Sequence, residues 1–245
     1  MLKAKNVVKK FGGITALDNC SFEIKKGKIT ALVGPNGSGK TTFFNIVSGI
    51  LKPDRGKIIF NGKNIVGLKP HIISNLGLSR TFQETRLFDN LTVRENLVLA
   101  ADNEDTSLIK SILNTNKINK RQFQKIENIL SILSLKDKEH ALSKKLSFGQ
   151  KKLLELSRAL VNPHKMIMLD EPVSGVNPAV KSKIKQIILN LKKNKETILL
   201  IEHDMHFVLS IADLVIVLDQ GRKIAEGKPE DIRKDKRVLE AYLGG

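Results

Sequence analysis

The sequence predicts an α/β fold, with a parallel sheet covered by helices and a mainly helical segment inserted into it. Of its 245 residues 41% are hydrophobic, but only 4% are aromatic and none is Trp. The core must therefore consist mainly of Ile, Leu, Val and Ala, which suits buried parallel strands. In addition, strand-like and helical runs alternate in the second half of the chain. This length fits one domain with a sub-domain, or two small domains, and we expect one compact unit.

The first third of the chain contains short β-rich segments separated by glycine-containing turns. The predicted strands are Leu2 to Val8, Cys20 to Ile24, Ile29 to Val33 and Ile58 to Phe60. The turns contain Gly12-Gly13, Lys26-Gly27 and Asn61-Gly62. Such punctuation is typical of strands joined by tight turns.

The pattern changes to helical spacing from about Thr92 to Leu135. One apolar face is formed by Ile126, Ile129, Leu130 and Leu133. Because strand signals are few here, we expect a helical insertion. The stretch Asp102 to Gln124 is polar and rich in Asn and Lys, so we expect a weakly packed helical hairpin or loop.

Strand and helix then alternate, as a parallel sheet requires. The predicted order is a helix from about Gly149 to Val161, a strand Met166 to Leu169, a helix from about Ala179 to Lys193, and strands Thr197 to Ile201 and Leu214 to Leu218. The sequence contains no internal repeat.

Charge and cysteine content limit the function classes. A formal charge of +17 suits attraction to nucleotide phosphates, anionic lipids or nucleic acid, or simply a Lys-rich solvated surface. We favour the solvated surface, because the basic residues are spread along the chain without aromatic stacking partners. The single cysteine, Cys20, lies in apolar-polar alternation, which predicts a packing role and a cytosolic location. No apolar run is long enough to span a bilayer, so we expect any membrane work to be done through a partner.

A phosphate-binding loop follows the third predicted strand. Residues 34 to 41 read Gly-Pro-Asn-Gly-Ser-Gly-Lys-Thr, between an apolar strand and a helix-compatible run. The glycines let backbone N–H groups converge on phosphate oxygens, and the helix N-terminus adds partial positive charge. The predicted nucleotide-binding residues of this loop are Gly34, Asn36, Gly37, Ser38, Gly39, Lys40, Thr41 and Thr42.

Three side chains of the loop have separate expected roles. Lys40 is expected to reach the β- and γ-phosphates. The hydroxyl of Thr41 is placed to ligate Mg²⁺, and Thr42 can donate to a phosphate. The sequence therefore predicts ATP and Mg²⁺ as cofactors.

Two adjacent carboxylates end the apolar strand from Met166 to Leu169. We expect Asp170 to hold Mg²⁺ through its water shell and Glu171 to polarise the attacking water as general base. An isolated apolar-Asp-Glu run more often marks a helix cap or a strand end. The presence of a phosphate-binding loop favours the catalytic interpretation.

Residues 146 to 150, Leu-Ser-Phe-Gly-Gln, resemble the signature motif of the ATP-binding-cassette ATPases, whose usual form is Leu-Ser-Gly-Gly-Gln. Phe148 departs from that form but leaves Ser147, Gly149 and Gln150 for nucleotide contacts. Without the other motifs, the same residues would indicate an ordinary helix start with Ser147 as N-cap.

The remaining motifs of this family occur in the expected order. Gln83 resembles the Q-loop glutamine, which implies a catalytic and metal-linked role, and His203 resembles the switch histidine that stabilises charge on the γ-phosphate. Phe11 resembles the aromatic residue that stacks on adenine, with core packing as the competing interpretation.

The resemblance covers nearly the whole chain. It implies a P-loop NTPase core with a parallel sheet, an N-terminal antiparallel β subdomain and a helical insertion subdomain. In these terms residues 1–245 form one domain, with residues 1–83 and 147–245 as the nucleotide-binding core and about 84–146 as the helical subdomain.

The most similar subgroup is that of the ATPase subunits of branched-chain amino acid importers. The segments that carry this resemblance are residues 79–83, 172–178, 201–205 and 241–245. Asn177 supports it, because the subgroup commonly has Asn where the wider family has Asp.

The resemblance also implies partners. Two ATPase subunits, identical or different, would pair head to tail, so that Ser147 and Gly149 of one cover ATP on the other. Permease subunits and, indirectly, a substrate-binding protein would complete the assembly, with the chain peripheral on the cytoplasmic face of the membrane. We place the coupling surface near residues 84–96, where Leu87, Phe88 and Leu91 either contact the permease or pack internally.

Two alternative functions remain. One is a transporter ATPase for another cargo, such as urea or a lipid, because partners choose the cargo. The other is a cassette ATPase acting on nucleic acid or ribosomes. The short insertion and the single phosphate-binding loop argue against the latter, so we expect no nucleic-acid partner.

Overall fold

The computed structural model describes residues 1–81, 87–101 and 120–243. Its strands are β1 Leu2–Phe11, β2 Ile14–Ile24, β3 Ile29–Val33, β4 Arg55–Phe60, β5 Lys63–Asn64, β6 Leu78–Arg80, β7 Met166–Asp170, β8 Ile198–Ile201, β9 Leu214–Asp219 and β10 Arg222–Gly227. Its helices are α1 Lys40–Val47, α2 Pro70–Asn75, α3 Val93–Ala101, α4 Lys120–Ile132, α5 Phe148–Val161, α6 Pro178–Lys193, α7 Met205–Ile211, α8 Pro229–Ile232 and α9 Lys236–Leu243.

The strands form two sheets. A four-stranded antiparallel sheet has the order β2-β1-β4-β5, and a six-stranded sheet has the order β10-β9-β3-β8-β7-β6. In the larger sheet the strands from β9 to β6 are parallel to one another, and β10 is antiparallel to β9. The parallel core and the N-terminal antiparallel sheet both agree with the predicted fold class.

Side-chain alternation along the central strands divides the hydrophobic core between the two faces of the larger sheet. Ile167 and Leu169 of β7 belong to one apolar cluster, whereas Met166 and Met168 belong to the other. Successive residues of a strand point to opposite faces, so strands buried on both sides need continuous apolar sequence. This requirement explains why β3, β7 and β8 contain so few polar residues.

Helix α1 packs in the core cluster that joins the antiparallel sheet to the larger sheet. Phe43 is fully buried, and its ring lies 4.6 Å from that of Phe22 on β2. The same cluster contains Leu2 of β1 and Leu32 of β3. The phosphate-binding loop is therefore anchored from both sheets.

The described part of the predicted insertion is helical. The apolar face predicted for α4 is buried: the four residues are Ile126, Ile129, Leu130 and Leu133. They share one core cluster with Val93 and Leu97 of α3 and with Leu153 of α5. Of the polar stretch from Asp102 to Gln124, residues 102–119 lie outside the described residues, and Lys120 to Gln124 are the first turn of α4.

Several elements were absent from the predicted order. The sequence pattern did not predict β5, β10, α2 or the helices after β8, and it began β2 and β4 too late. The omitted helices have four to eight residues, which is too short to establish a periodicity. Strand β10 contains Arg222, Lys223 and Glu226 at an antiparallel edge, where an apolar run is not required.

Among the described residues, no helix combines the length and the apolar character needed to cross a membrane. The thiol of Cys20 is buried and donates to the carbonyl of Gly221 at 2.9 Å, in agreement with its predicted packing role. Burial raises the pKa of Cys20 to about 11.

Candidate nucleotide site

The loop between β3 and α1 approaches neighbouring backbone so closely that side chains are excluded. A Cβ on Gly34 would lie 2.0 Å from the carbonyl oxygen of Leu218, and one on Gly39 would lie 2.4 Å from that of Ala16. Gly39 also has a φ of 101°, in the left-handed region that favours glycine. The two glycines therefore allow the loop to pack directly against the backbones of β2 and β9.

Lys40 is the buried cation at the centre of this loop. Its ammonium donates to the carbonyls of Gly34 at 2.7 Å and Pro35 at 2.8 Å, and lies 3.4 Å from the Ser38 hydroxyl. Burial lowers the pKa of Lys40, while the negative charges of Glu171 and Asp170 act in the opposite direction. The ammonium is thus held in the loop, within the electrostatic field of both carboxylates.

The remaining loop residues differ in exposure. Ser38 and Gly39 are buried, whereas Asn36, Gly37 and Thr41 are exposed, and Thr42 is half-buried. Since the helix begins at Lys40, the backbone N–H groups of its first turn have no partner within the helix. These backbone N–H groups therefore lie beside the buried ammonium of Lys40, at the start of the eight-residue helix α1.

The strand order brings the carboxylates to the same edge of the sheet as the loop. Strand β8 lies between β3 and β7, and Ile201 is in register with both Leu32 and Asp170. The carboxyl ends of parallel strands meet at one edge, so Asp170 lies about 10 Å from the end of β3, two strand spacings away.

Asp170 forms a buried ion pair that the sequence did not predict. Its Oδ2 accepts from Arg80 at 2.8 Å, and the exposed fractions of the two side chains are 2% and 6%. Arg80 also donates to Asn45 at 2.9 Å and to Ser48 at 2.7 Å. One guanidinium therefore joins β6, β7 and the second half of α1.

Glu171 has a strained backbone. Its φ is 48°, which a non-glycine residue rarely adopts, and its N–H donates to the carbonyl of Ile201 at 3.0 Å. Such strain persists only where surrounding bonds hold it, and it is concentrated at functional sites. The conformation turns the chain sharply at the end of β7, next to Asp170.

Glu202 holds this turn from the neighbouring strand. It is fully buried and accepts hydrogen bonds from the N–H groups of Val173 at 3.0 Å and His203 at 3.3 Å. Burial raises the pKa of Glu202, although these bonds oppose the shift. The exposed side chain of His203 follows directly, so Glu202 links the segment after Glu171 to the segment that carries His203.

The signature residues form the N-terminus of α5. Ser147 is its N-cap, and the two bonds of a capping box join it to Gln150, at 3.3 Å and 3.0 Å. A Cβ on Gly149 would lie 2.9 Å from a methyl group of Val180, so the glycine lets α5 and α6 pack closely here. The ordinary helix-start interpretation thus holds within one chain, and Ser147 is also exposed for contacts beyond it.

Phe148 and Asn177 have local structural explanations. Phe148 is 52% exposed, and a Cβ on Gly175 would lie 3.1 Å from its ring. Asn177 is the N-cap of α6 and accepts from the Val180 N–H at 2.9 Å. An aromatic residue in the signature motif therefore packs against the loop that follows the carboxylates.

Other predicted site residues lie elsewhere or outside the described part. Phe11, at the end of β1, is 46% exposed, which rules out the core-packing interpretation. Gln83 lies outside the described residues. On the predicted coupling surface, Phe88 is exposed, whereas Leu87 packs partly against the core and Leu91 is half-buried.

The chemistry of the donors fits a magnesium nucleotide. Mg²⁺ prefers oxygen ligands and is usually held by one or two carboxylates together with substrate phosphates and water, rather than by an all-protein cage. Asp170 and Thr41 offer such oxygens at one sheet edge. The described residues contain no cluster of three or more His, Cys, Asp or Glu side chains that could hold a metal.

A parallel sheet whose phosphate loop opens a helix beside a strand ending in carboxylates defines a P-loop nucleotide-binding protein. Comparison with known families narrows this class. Residues 17–174 match the ABC transporter family, and residues 222–245 match the family described as branched-chain amino acid ATP-binding cassette transporter.

Relatives agree over the full length. The chain is 39% identical over 247 residues to the probable branched-chain amino acid transport ATP-binding protein LivG of Archaeoglobus fulgidus, covering 100% of this chain and 95% of that protein. The ADP conformation of an ATP-binding cassette of an ABC transporter superposes with a TM-score of 0.87 at 36% identity, covering 100% and 99% of the two chains. A dimeric cassette bound to ADP and Pi has a TM-score of 0.80 at 26% identity, covering 94% and 99%.

The chain therefore belongs to the ABC transporter family. It is an ATP-binding cassette, the nucleotide-binding and ATP-hydrolysing component of a membrane transporter.

Sequence reasoning missed two polar residues at this edge, Arg80 and Glu202. The sequence contains a sign of each. Arg80 is a charged residue at the end of an otherwise uncharged strand, and Glu202 directly follows the four apolar residues of β8. Charged residues are rarely buried unless they are paired. A buried ion-pair or hydrogen-bond partner could therefore have been predicted for each of these two residues.

Proposed function

We propose that this chain drives the import of branched-chain amino acids, by binding and hydrolysing MgATP at the edge formed by β3, β7 and β8. The observation that carries the ATPase site is the buried Lys40 in its glycine loop, together with Asp170 and Glu171 on the same sheet edge. The cargo rests on the relatives, which are named as branched-chain amino acid transport proteins.

The loop residues bind the phosphates in this proposal. Lys40 would exchange bonds to the Gly34 and Pro35 carbonyls for bonds to the β- and γ-phosphates. The backbone N–H groups from Asn36 to Lys40 and the hydroxyls of Ser38, Thr41 and Thr42 add further donors. Phe11 offers an exposed ring to the adenine.

Thr41 and Asp170 would hold Mg²⁺, with Gln83 as a further ligand. Bound Mg²⁺ supplies positive charge that polarises the phosphate oxygens. Glu171, at the sharp turn that ends β7, accepts the proton of the attacking water. His203, exposed directly after β8, donates to the γ-phosphate.

A second ATPase subunit completes each site. Ser147, Gly149 and Gln150 lie at an exposed helix N-terminus, which suits phosphate contacts across an interface between two chains. The dimeric form of a related cassette supports this arrangement. Closure of two subunits around ATP and their release after hydrolysis would do work on permease subunits, which a substrate-binding protein supplies with cargo.

The coupling surface would be the exposed segment around Phe88. Its position is rigid, because the fully buried Asn96 accepts from the Phe88 N–H at 3.0 Å and donates to the Phe88 carbonyl at 3.1 Å. We therefore place the chain at the cytoplasmic face of the membrane, held there by its permease. Residues 84–146 would act as the helical subdomain that moves with Gln83.

Transport in vesicles tests the proposed cargo. The chain would be reconstituted with the permease subunits that co-purify with it and with their binding protein, and uptake of labelled leucine and labelled urea would be measured with ATP supplied on the ATPase side. We expect ATP-dependent uptake of leucine and none of urea. Lys40→Ala should abolish uptake, because it removes the phosphate-binding cation.

The controls separate cargo from mechanism. Uptake of urea instead of leucine would refute the cargo while leaving the ATPase site intact. Undiminished leucine uptake with Lys40→Ala would refute the proposed phosphate site itself.

A further inference from the structure

Arg80 has a buried side chain that makes contacts on three elements. From the end of β6, its guanidinium donates to Asp170 on β7, to Asn45 on α1 and to Ser48, the C-cap of α1. Its carbon atom Cζ lies 5.5 Å from the centre of the Phe44 ring. Only 6% of its side chain is exposed.

Burying the Arg80–Asp170 ion pair costs free energy, so stability alone does not explain why the pair is there. Removing two charges from water carries a large desolvation penalty, and apolar residues of similar volume often stabilise a core as well or better. Arginine suits a site where several partners must be held at once, because its planar fork presents up to five donors. Here the fork fixes the distance between α1 and the end of β7.

Among the described residues, Asp170 uses one carboxylate oxygen and its N–H in hydrogen bonds. Arg80 takes Oδ2, and the Asp170 N–H donates to the hydroxyl of Thr81 at 3.1 Å. Thr81 is in turn fixed, since its N–H donates to the carbonyl of Met168 at 2.9 Å. Both the backbone and the side chain of Asp170 are therefore oriented by the residues that end β6.

We propose that Arg80 is a positioning residue for the magnesium site: it holds the Asp170 carboxylate in register with Thr41 by tying Asp170 to α1. This inference rests on the proposed role of Asp170 as a metal-holding group. Arg80 acts through Asp170 and need not touch the metal or the nucleotide. Groups that orient metal-holding residues affect metal affinity strongly, typically by about 10- to 100-fold.

The test measures metal binding directly, apart from hydrolysis. Mn²⁺ replaces Mg²⁺ as a spectroscopic probe, and electron paramagnetic resonance follows its binding to the ADP-loaded protein. A fluorescent ATP analogue measures nucleotide affinity in EDTA. For Arg80→Ala we expect Mn²⁺ affinity to fall about 10- to 100-fold, with nucleotide affinity in EDTA within about threefold of wild type, since Lys40 and the loop are unchanged.

Arg80→Lys keeps the charge but cannot bond three partners with one planar fork, so we expect a smaller loss of Mn²⁺ affinity. If Arg80→Ala does not fold, the Mn²⁺ affinity of Arg80→Lys tests the positioning role by itself. The matched control is Arg94→Lys, because Arg94 pairs with Glu127 and Glu139 in the helical region away from the sheet edge. This control should leave both affinities unchanged.

The outcomes distinguish this inference from the proposed function. Wild-type Mn²⁺ affinity in a folded Arg80 variant would overturn the positioning role. A parallel loss of Mn²⁺ affinity and of metal-free nucleotide affinity would also overturn it, since a general structural role predicts that result. If the wild-type protein binds nucleotide but shows no nucleotide-dependent Mn²⁺ site, the proposed role of Asp170 is wrong instead.

Discussion

At the scale of single residues, the sheet edge concentrates strain and buried charge. Glu171 has a left-handed backbone, and Glu202 and Arg80 are charged groups in the core. Each arrangement costs free energy by itself and persists because neighbouring bonds hold it. These strained and buried charged residues all lie at the sheet edge that carries the predicted catalytic carboxylates.

The pH dependence of stability tests the burial of Glu202. Because burial raises its pKa above the ordinary value of 4.5, the folded protein binds its proton at pH values where the unfolded chain has lost it. The contribution of Glu202 to stability is therefore largest at low pH and falls as pH rises above about 4.5 towards the raised pKa. Urea unfolding at a series of pH values measures this.

Glu202→Gln removes the titrating group. We expect the free energy of unfolding of wild type, relative to this variant, to fall with pH by up to about 1.4 kcal/mol per unit. The exposed Glu230→Gln serves as the control and should run parallel to wild type. If the free energies of unfolding of Glu202→Gln and wild type changed with pH in parallel, the raised pKa of Glu202 would be contradicted.

At the scale of elements, polar side chains hold irregular segments on regular ones. The side-chain amide of Asn96 on α3 lies within hydrogen-bond distance of the carbonyls of Phe88, Leu91 and Thr92, and the Ser143 hydroxyl lies within the same reach of those of Phe88 and Leu91. The segment before α3 is thus attached to the helix from within the core. An exposed aromatic residue in that segment then has a fixed place, as a coupling surface requires.

Replacing Asn96 should release this segment. Asn96→Ala removes the acceptor of the Phe88 N–H and one donor to each of the carbonyls of Phe88, Leu91 and Thr92. We therefore expect the free energy of unfolding to fall by about 1 to 3 kcal/mol. Urea denaturation measures the loss. Asn90→Ala is the matched control, since Asn90 is exposed in the same segment and bonds the exposed Lys144. Equal losses for the two variants would refute the role of Asn96.

At the scale of the whole molecule, the regular parts were predictable and the connections between them were not. Strand β3 and the helices α5 and α6 were predicted within one residue at each end. The two helices are long enough to show a helical period, and β3 is a short apolar run bounded by glycine-containing turns. The pairing of β8 between β3 and β7 was not predictable, since strand order depends on contacts distant in sequence. That order determines which loops share the site, so the ion pair of Arg80 with Asp170 emerged only from the structure.

The site itself was predicted as a set of motifs rather than as a geometry. Local patterns identified Lys40, in a glycine loop after an apolar strand, and the carboxylates Asp170 and Glu171 at the end of another. The resemblance to the family added His203. The domain limits at residues 83 and 147 remain predictions. One apolar cluster contains residues of the helical region and of the sheet, so no gap in the core marks a boundary between them.

The central claim is that Glu171 is the general base of a site that two chains complete. The most direct measurement compares wild type and Glu171→Gln in MgATP turnover and in ATP-dependent dimerisation by size-exclusion chromatography with light scattering. We predict slow turnover by wild type, and loss of turnover by about 100-fold or more in a variant that accumulates as an ATP-bound dimer. Equal turnover by both proteins, or a variant that binds ATP and stays monomeric, would contradict the account.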